Sequence, residues 1–448
     1  MRTGSRNTLP NGQPCPETEA EMSDLNNVQT GKNSWMKKFL PIWSAQIFSL
    51  LGSGLVQFAL VWYLTKETGS ATILAMATFV AVIPDVLIGP FAGALVDRWN
   101  RRIVMIVSDG VIAFFTLGLA ILFMLDLVQV WHIFVVLFLR ETGAMFHWPA
   151  MQASTSLMVP EEHLSRVAGI NQALRGGLNI IAPPLGALLM TFLQFYQVIS
   201  VDVLTAIIAV TPLLFIRIPQ PVRKDHESAV TVKLVLSDMV EGFKFMKAWP
   251  GILMLTIVAA MLNFFLAPSG TFMALLVTQH FMKGVWELSI LESCIGFGVV
   301  GGGLLLGVWG GFKKKIVTSM IGVIGLGLGV LLVGIAPANA FYIAVIGTIV
   351  LGVMNPIANG PLQAIMQSKI PPEMQGRVMG LLGAICTGMM PLAMLVSAPV
   401  ANAFGLRFWY WIGGAITIVI GVSAFFMPRI MTLEDQEIKG EQAAIAVV

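Results

Sequence analysis

Residues 93–102 read Gly93-Ala94-Leu95-Val96-Asp97-Arg98-Trp99-Asn100-Arg101-Arg102, one acid and three arginines between two long apolar runs. Charged side chains are costly in hydrocarbon, so such a cluster between two membrane-length segments is a short loop at one membrane face. The arginines can serve as a positive-inside anchor that holds topology. Asp97 is not explained that way. It can accept hydrogen bonds from the N-terminus of a facing helix or pair with an arginine, and Gly93 lets a neighbouring helix come close. Anchor and latch are therefore both expected of this loop.

The rest of the chain fits a membrane setting. It has 448 residues, of which 56% are hydrophobic and only 11% charged, with mean hydropathy +0.82. A soluble globular surface needs about 25% charged residues. Runs of about twenty apolar residues, the length that spans a bilayer as helix, recur from Phe39 to Met427, so the expected fold class is an all-α polytopic membrane protein. Twelve spans are predicted near 39–64, 72–95, 103–125, 130–151, 167–194, 198–216, 251–278, 288–311, 316–335, 340–362, 377–402 and 408–427.

The organisation is six spans, a linker and six spans. Residues 1–34 are polar and read as a disordered tail; 35–217 form an N-terminal half, 218–250 a linker, 251–428 a C-terminal half and 429–448 a second tail. Within the linker Val232, Leu236, Met239, Phe243 and Met246 recur every three or four residues, the pattern of an amphipathic helix at a membrane surface. Of the 27 Lys and Arg, 22 fall on the side of the two tails and the linker, while Lys66, Lys283 and Arg407 fall on the other. That bias places both termini in the cytoplasm of a cell whose inner (plasma) membrane the chain crosses repeatedly.

The two halves also echo each other. At an offset of 211 residues, Gln152, Ala153, Pro160, Glu162, Arg166, Val167 and Gly169 match Gln363, Ala364, Pro371, Glu373, Arg377, Val378 and Gly380. Arg101-Arg102-Ile103-Val104 likewise matches Lys314-Lys315-Ile316-Val317, but Gly310 and Gly311 stand where Asp97 and Arg98 map. Duplication accounts for both the repeat and the hydropathy division. The latch acid belongs to the first half alone, and its expected counterpart is the helix end near Gly376 and Arg377.

These features resemble the major facilitator superfamily, whose loop between helices 2 and 3 carries Gly-x-x-x-Asp-Arg-x-x-Arg-Arg. The first half is similar to the macrolide-efflux type of drug:proton antiporter, on Trp43–Ser49, Gly52-Ser53, Phe58–Leu60, Thr68–Ala71, Phe146–Ala150 and Arg217–Pro219. The resemblance implies a twelve-helix, two-half fold working as a monomer by alternating access. It also implies that Arg140 corresponds to the helix-4 arginine of such antiporters, although the following Gly143 comes one residue early. Ala182-Pro183-Pro184-Leu185-Gly186-Ala187 resembles their Gly-Pro-x-x-Gly-Gly motif, with alanines for the first and last glycines. Its expected partner is the glycine-rich eighth span, from Gly296 to Gly307.

Charges inside the spans are functional candidates by default. In the first half these are Asp85, Asp109, Arg140, Glu141, Arg175 and Asp202; the second half offers Glu287 and Glu292. Asp85, Arg140, Glu141, Arg175 and Asp202 are the candidates for proton coupling. Arg140 and Glu141, being adjacent, point about 100° apart. Asp85 either lines the cavity or pairs with Arg175, and Asp109 is expected to meet Arg98 or Arg102 at the interface. Gln46, Ser49, Ser53 and Gln57 form one polar stripe on the first span. With Asn179, Asn263, Phe264, Asn355, Asn359 and Met389 they are the candidates for a substrate cavity.

No phosphate-binding loop, metal-ligand spacing or nucleophile motif occurs, so neither an enzyme nor a cofactor or metal is expected. The expected partners are the lipid bilayer, a small amphiphilic substrate and protons, with no nucleic acid. The leading reading is a secondary active exporter of amphiphilic drugs by proton antiport. The alternatives are a dedicated exporter or flippase for one compound, such as a siderophore or lysolipid, and a transporter-derived sensor that no longer transports.

Overall fold

In the computed structural model the described residues are 16–220 and 232–435. Residues 1–15, the linker residues 221–231 with Arg223, Lys224 and His226, and residues 436–448 lie outside them. Among the described residues the backbone forms helices and no strand, as it must where hydrocarbon offers no partner for a free peptide group. The first group is α1 (Pro16–Thr68), α2 (Ala71–Val96), α3 (Arg101–Met124), α4 (Val130–Met158), α5 (Glu161–Phe192) and α6 (Phe195–Phe215). Then come α7 (Val232–Ala248), α8 (Pro250–Thr271), the single turn α9 (Met273–Leu275), a π-turn Leu276–His280, and α10 (Val285–Trp309). The chain continues through α11 (Lys315–Ile335), α12 (Phe341–Lys369), α13 (Pro372–Phe404), α14 (Leu406–Phe425) and the short α15 (Pro428–Met431).

Eleven of the described helices are long and apolar enough to cross a membrane. α4 packs among them against α2 and α3 with comparable length, and it is set apart by Arg140, Glu141 and His147. The count is consistent with a twelve-span chain. α1 reaches back to Pro16, into the stretch read as a disordered tail. Proline at the first helical position followed by Glu17, Glu19 and Glu21 is a helix-starting sequence, which low apolar content hid.

The repeat has a structural counterpart. Pro160 and Pro371 occupy the same extended conformation before α5 and α13 (φ −57, ψ 146 and φ −54, ψ 142). Each carbonyl accepts a hydrogen bond from the residue three positions on, His163 N and Met374 N respectively, at 2.9 Å. The degraded copy is explained too. Gly310 ends α10 at φ +75 and Gly311 follows at φ +83, left-handed values that glycine adopts freely. Asp97 sits at φ −62. The two loops therefore leave their helices by different turns, and an Asp-Arg pair in place of the glycines would be strained.

α7 is the helix predicted from the linker pattern, but it does not lie free on a surface. Phe245 and Met246 are fully buried, and Gly242 brings its backbone against the Arg377 carbonyl of α13, 3.0 Å from where a Cβ would stand.

The core shows how the halves meet. At the end carrying the Lys66, Lys283 and Arg407 loops, one continuous apolar core draws on both halves, from Leu64 and Leu74 to Leu276, Met394 and Ala398. At the basic end the apolar residues divide. Val104, Met105, Ala150 and Leu213 form a core in the first half, and Ile316, Met320, Met374 and Ile430 form a separate one in the second. Among the described residues three hydrogen bonds cross between the halves at the sealed end: Gln279 Nε2 to Gly69 O (2.6 Å), Asn402 Nδ2 to Thr72 Oγ1 (2.9 Å) and Thr78 Oγ1 with Thr271 Oγ1 (3.2 Å). Gly93, Gly169, Gly303 and Gly376 at the basic end face open space. The halves are closed at one face and parted at the other.

Candidate functional site

Between the parted halves lie two cavities of about 380 and 620 Å³ that share Gln57, Val61 and Glu292. The first takes Asp85 from α2, Glu141 from α4, Glu292 from α10, and Thr387 and Met390 from α13. The second takes Arg175, Asn179 and Pro183 from α5 and Gly296 from α10. Both halves thus contribute to one space at mid-depth, walled mostly by apolar groups such as Leu64, Leu137 and Met145. Asp85, Glu141 and Glu292 are half-buried and form no ion pair or hydrogen bond among the described residues. They present three carboxylates to the cavity.

Asp85 does not meet Arg175. The Arg175 guanidinium lies on the face of Trp148, 3.3 Å from its ring centroid, a stacking arginine favours. Trp148 was not legible as a partner, because nothing in the sequence relates α4 to α5 there. Of the two acids the second half offers, Glu292 is the one that reaches the cavities. Glu287 is the true end residue: its Oε2 caps Gly284 N at 3.0 Å and its Oε1 lies 3.7 Å from Lys283 Nζ.

The polar stripe of α1 mostly turns the other way, into the first half. Gln57 alone among its four members lines the cavities. Gln46 is fully buried, Ser49 is buried, and Ser53 donates to Asp202 Oδ1 at 2.9 Å. Arg140 points into the bundle, about 100° from the cavity-facing Glu141, pairing with Asp202 and donating to Thr116 Oγ1 at 2.7 Å. Thr116 donates in turn to Asp202 Oδ2 at 3.2 Å. Arg140 and Asp202 thus neutralise each other inside the bundle, which is how a buried pair remains tolerable. Asp109 does not reach Arg98 or Arg102. It accepts from Gln46 Nε2 at 3.2 Å and faces His147 Nε2 at 3.4 Å.

The other cavity candidates scatter. Phe264 and Met389 line a separate apolar cavity of about 540 Å³ between α7, α8 and α13. Asn263 Nδ2 is taken up by Ala259 O at 2.9 Å, and Asn359 Nδ2 by Asn355 O at 3.0 Å on the exposed face of α12. Asn179 lines the larger cavity.

The Gly93–Arg102 loop is held by its own half. Asp97 N caps Gly93 O at 3.0 Å, and Asn100 Oδ1 accepts from Arg102 N at 3.1 Å and Ile103 N at 3.4 Å. Arg102 caps the end of α6, with Nε on Leu213 O and Nη2 on Leu214 O at 2.6 Å. Buried Arg101 reaches Ala153 O and, at 3.4 Å, Asp97 Oδ1. Asp97 is otherwise open, with 69% of its side chain exposed. Arg377 is engaged elsewhere, with Asp238 at 2.9 Å and with Glu241, both on α7. The two sides of the expected latch are apart in this structure, and Gly93 packs against nothing.

The Pro183–Gly186 stretch does not mate with all of the α10 glycines. Gly186 packs on Phe58 of α1, 2.7 Å from where a Cβ would stand, and Gly296 meets Ile180 of α5 at 2.7 Å. Gly298 and Gly302 turn instead to α12, at Gly352 and Val353. Two helices compete for the small residues of α10, and each takes a share. Pro184 sits inside α5 beside Pro183, where each proline removes one backbone donor.

The family profile described as Major Facilitator Superfamily matches residues 42–394. The chain is 33% identical over 402 residues to macrolide efflux protein A of Streptococcus pyogenes, covering 90% of this chain and 98% of that protein. It is 25% identical to the multidrug efflux pump Tap of Mycolicibacterium fortuitum over 86% of this chain and 94% of the pump. In shape it is similar to the nucleoside transporter NupG, with TM-score 0.67 at 14% identity over 90% of this chain and 100% of that one. A bacterial homologue of the human lysosomal transporter Spinster, solved inward-facing and unoccupied, aligns with TM-score 0.63 at 14% identity over 90% of this chain and 97% of that one.

Proposed function

The chain belongs to the major facilitator superfamily and is a multi-pass membrane transporter, and from that premise we propose that it exports amphiphilic drugs of the macrolide kind in exchange for protons. The carrying observation is the cavity that straddles the two halves, apolar in its walls, with three carboxylates and one arginine in its lining. Apolar walls suit the body of an amphiphile, and carboxylates can take either a proton or a cationic group of the substrate. Likeness to efflux proteins over nearly the whole chain favours the outward direction. With the basic face in the cytoplasm, the parted end receives substrate from inside, and opening the sealed end delivers it outside. In this reading the protein works as a monomer within the lipid bilayer.

The test is accumulation of erythromycin and several dyes in cells stripped of their own exporters, with and without a protonophore. Lower accumulation that rises on adding protonophore is expected. Equal accumulation with and without the protein rules out drug export, and protonophore insensitivity rules out proton coupling. In the same assay Asp97→Asn is expected to cut export about tenfold, the effect of roughly 1.4 kcal/mol on one step, with insertion intact. Export at the normal rate removes the latch from the mechanism.

The sealed end makes a separate prediction. Gln279→Ala with Asn402→Ala removes two cross-half hydrogen bonds, together contributing about 1–2 kcal/mol. Closure of the basic end should then become about tenfold more populated. Spin labels on cysteines at Gly169 and Gly303, with Cys15, Cys294 and Cys386 replaced, report it as a shorter distance population. An unchanged distance distribution shows that these two hydrogen bonds do not hold the seal.

A further inference from the structure

The first half holds two buried polar layers in a fixed register. Ser53, Thr116 and Arg140, joined by Asp202 of α6, make one layer. Gln46, Asp109 and His147 make the other. On α1, α3 and α4 alike, the two contributors stand seven residues apart, which is about 10 Å or two helical turns. The three helices thus carry a matched pair of stations, the second nearer the basic end.

The stations differ in charge. Arg140 and Asp202 cancel in the first, so it needs no proton. In the second, an ionised Asp109 is balanced when His147 carries one. His147 Nε2 stands 2.9 Å from Gln46 Oε1 and 3.4 Å from Asp109 Oδ1, with Gln46 Nε2 bound to the other carboxylate oxygen at 3.2 Å. All three side chains are buried, Gln46 at 0%, Asp109 at 3% and His147 at 6% exposure, where an unbalanced charge is costly. Among the described residues the charged groups brought to this part of α4 are Asp109 on the ring itself and Arg175 of α5, whose guanidinium stacks on the neighbouring Trp148. α1 presents Gln46, α3 presents Asp109, and Asp85 of α2 opens into the cavity beside Glu141. Gln46, taking the imidazole hydrogen and returning its own to the carboxylate, ties α1 to the pair.

We infer that His147 and Asp109 form a proton-holding station, the imidazole accepting one proton from water to become imidazolium beside the Asp109 carboxylate and returning it to water when the bundle opens. The inference rests on the proton-antiport reading for its purpose, but not for its chemistry. Histidine is suited to the exchange because it gains and loses a proton near neutral pH.

The experiment is ¹⁵N NMR of the ring nitrogens in the full-length protein in detergent, at about pH 7, where an unperturbed histidine is mostly neutral. The chain has five histidines, and the His147 signals are those missing from His147→Gln, or from His147→Asn if the first variant does not purify. The expected wild-type ring is imidazolium, and Asp109→Asn is expected to turn it into neutral imidazole at the same pH. A neutral wild-type ring, or an imidazolium unchanged by Asp109→Asn, overturns the station. In proteoliposomes with a pH gradient, His147→Gln should lower erythromycin accumulation by about tenfold or more; wild-type accumulation in that variant counts against the station as well. A wild-type protein that moves no erythromycin overturns the export reading instead, and the ring spectrum then decides the station by itself.

Discussion

Arg140→Met is expected to destabilise the protein by about 3–5 kcal/mol, the cost of leaving a buried charge without its partner. Asp202 is 1% exposed and would keep only Ser53 and Thr116 as donors. Thermal unfolding in detergent should register the loss as a markedly lower midpoint. The double variant Arg140→Met with Asp202→Leu removes both charges and should recover most of that loss, because buried pairs exchange well for apolar groups of similar size. Transport separates the two roles. If the pair serves only packing, transport returns with stability; if it takes part in the transport cycle, the double variant folds and does not transport. Equal stability of the single variant and the wild type would mean that the pair is not closed in the membrane.

Gly302→Ala is expected to be at least as damaging, although it adds one methyl group. Its Cβ would stand 2.2 Å from the Val353 carbonyl oxygen and 2.8 Å from Val353 Cα. Those are backbone atoms of α12, and they cannot swing aside as a side-chain tip can. Overpacking of this kind costs about 1–3 kcal/mol and more when backbone must move; here about 3 kcal/mol or more is expected. The control is the preceding residue. A Cβ on Gly301 meets nothing within 4 Å, so Gly301→Ala should be close to neutral and even favourable to the helix. Similar midpoints for the two variants would show that α10 and α12 do not cross this closely.

The same crossing shows where sequence reading stops. The glycines of α10 were visible as a smooth face, and a smooth face implies a close neighbour. It does not say which neighbour. Gly296 goes to α5 while Gly298 and Gly302 go to α12, because residues two and six positions on lie on a different side of the helix. The α1 stripe taught the same lesson. Gln46, Ser49, Ser53 and Gln57 share a face at helical spacing, yet Gln46 and Ser53 satisfy acids on α3 and α6, and only Gln57 reaches the cavity. Periodicity gives a face; it does not give what the face meets.

Charge was legible in number and blurred in partnership. Arg140, Asp202 and Asp109 stood out because each is costly in hydrocarbon. Asp202 as the mate of Arg140 could not be read, since α4 and α6 are joined only through tertiary packing. The trace of His147 in the sequence is the seven-residue interval shared by Gln46 and Ser53, Asp109 and Thr116, and Arg140 and His147. At the basic end, Lys314 before α11 and Asp435 after α15 meet at 2.8 Å outside the spans, and the carboxylate holds the lysine ammonium above its ordinary range. The sequence offered no reason to join those two residues.

For this protein the amino-acid sequence alone determined the membrane class, the twelve-span division and the family. Those follow from local quantities: apolar run length, the placement of basic residues, and a ten-residue loop from Gly93 to Arg102. Only the tertiary structure decided that Asp97 and Arg377 stand apart with Arg377 bound to α7, that the halves seal at the sparsely basic end, and that Glu292 joins Asp85 and Glu141 in one cavity. Each of these is a relation between helices far apart in the chain, set by packing that sums over many small contacts. No window of sequence contains it.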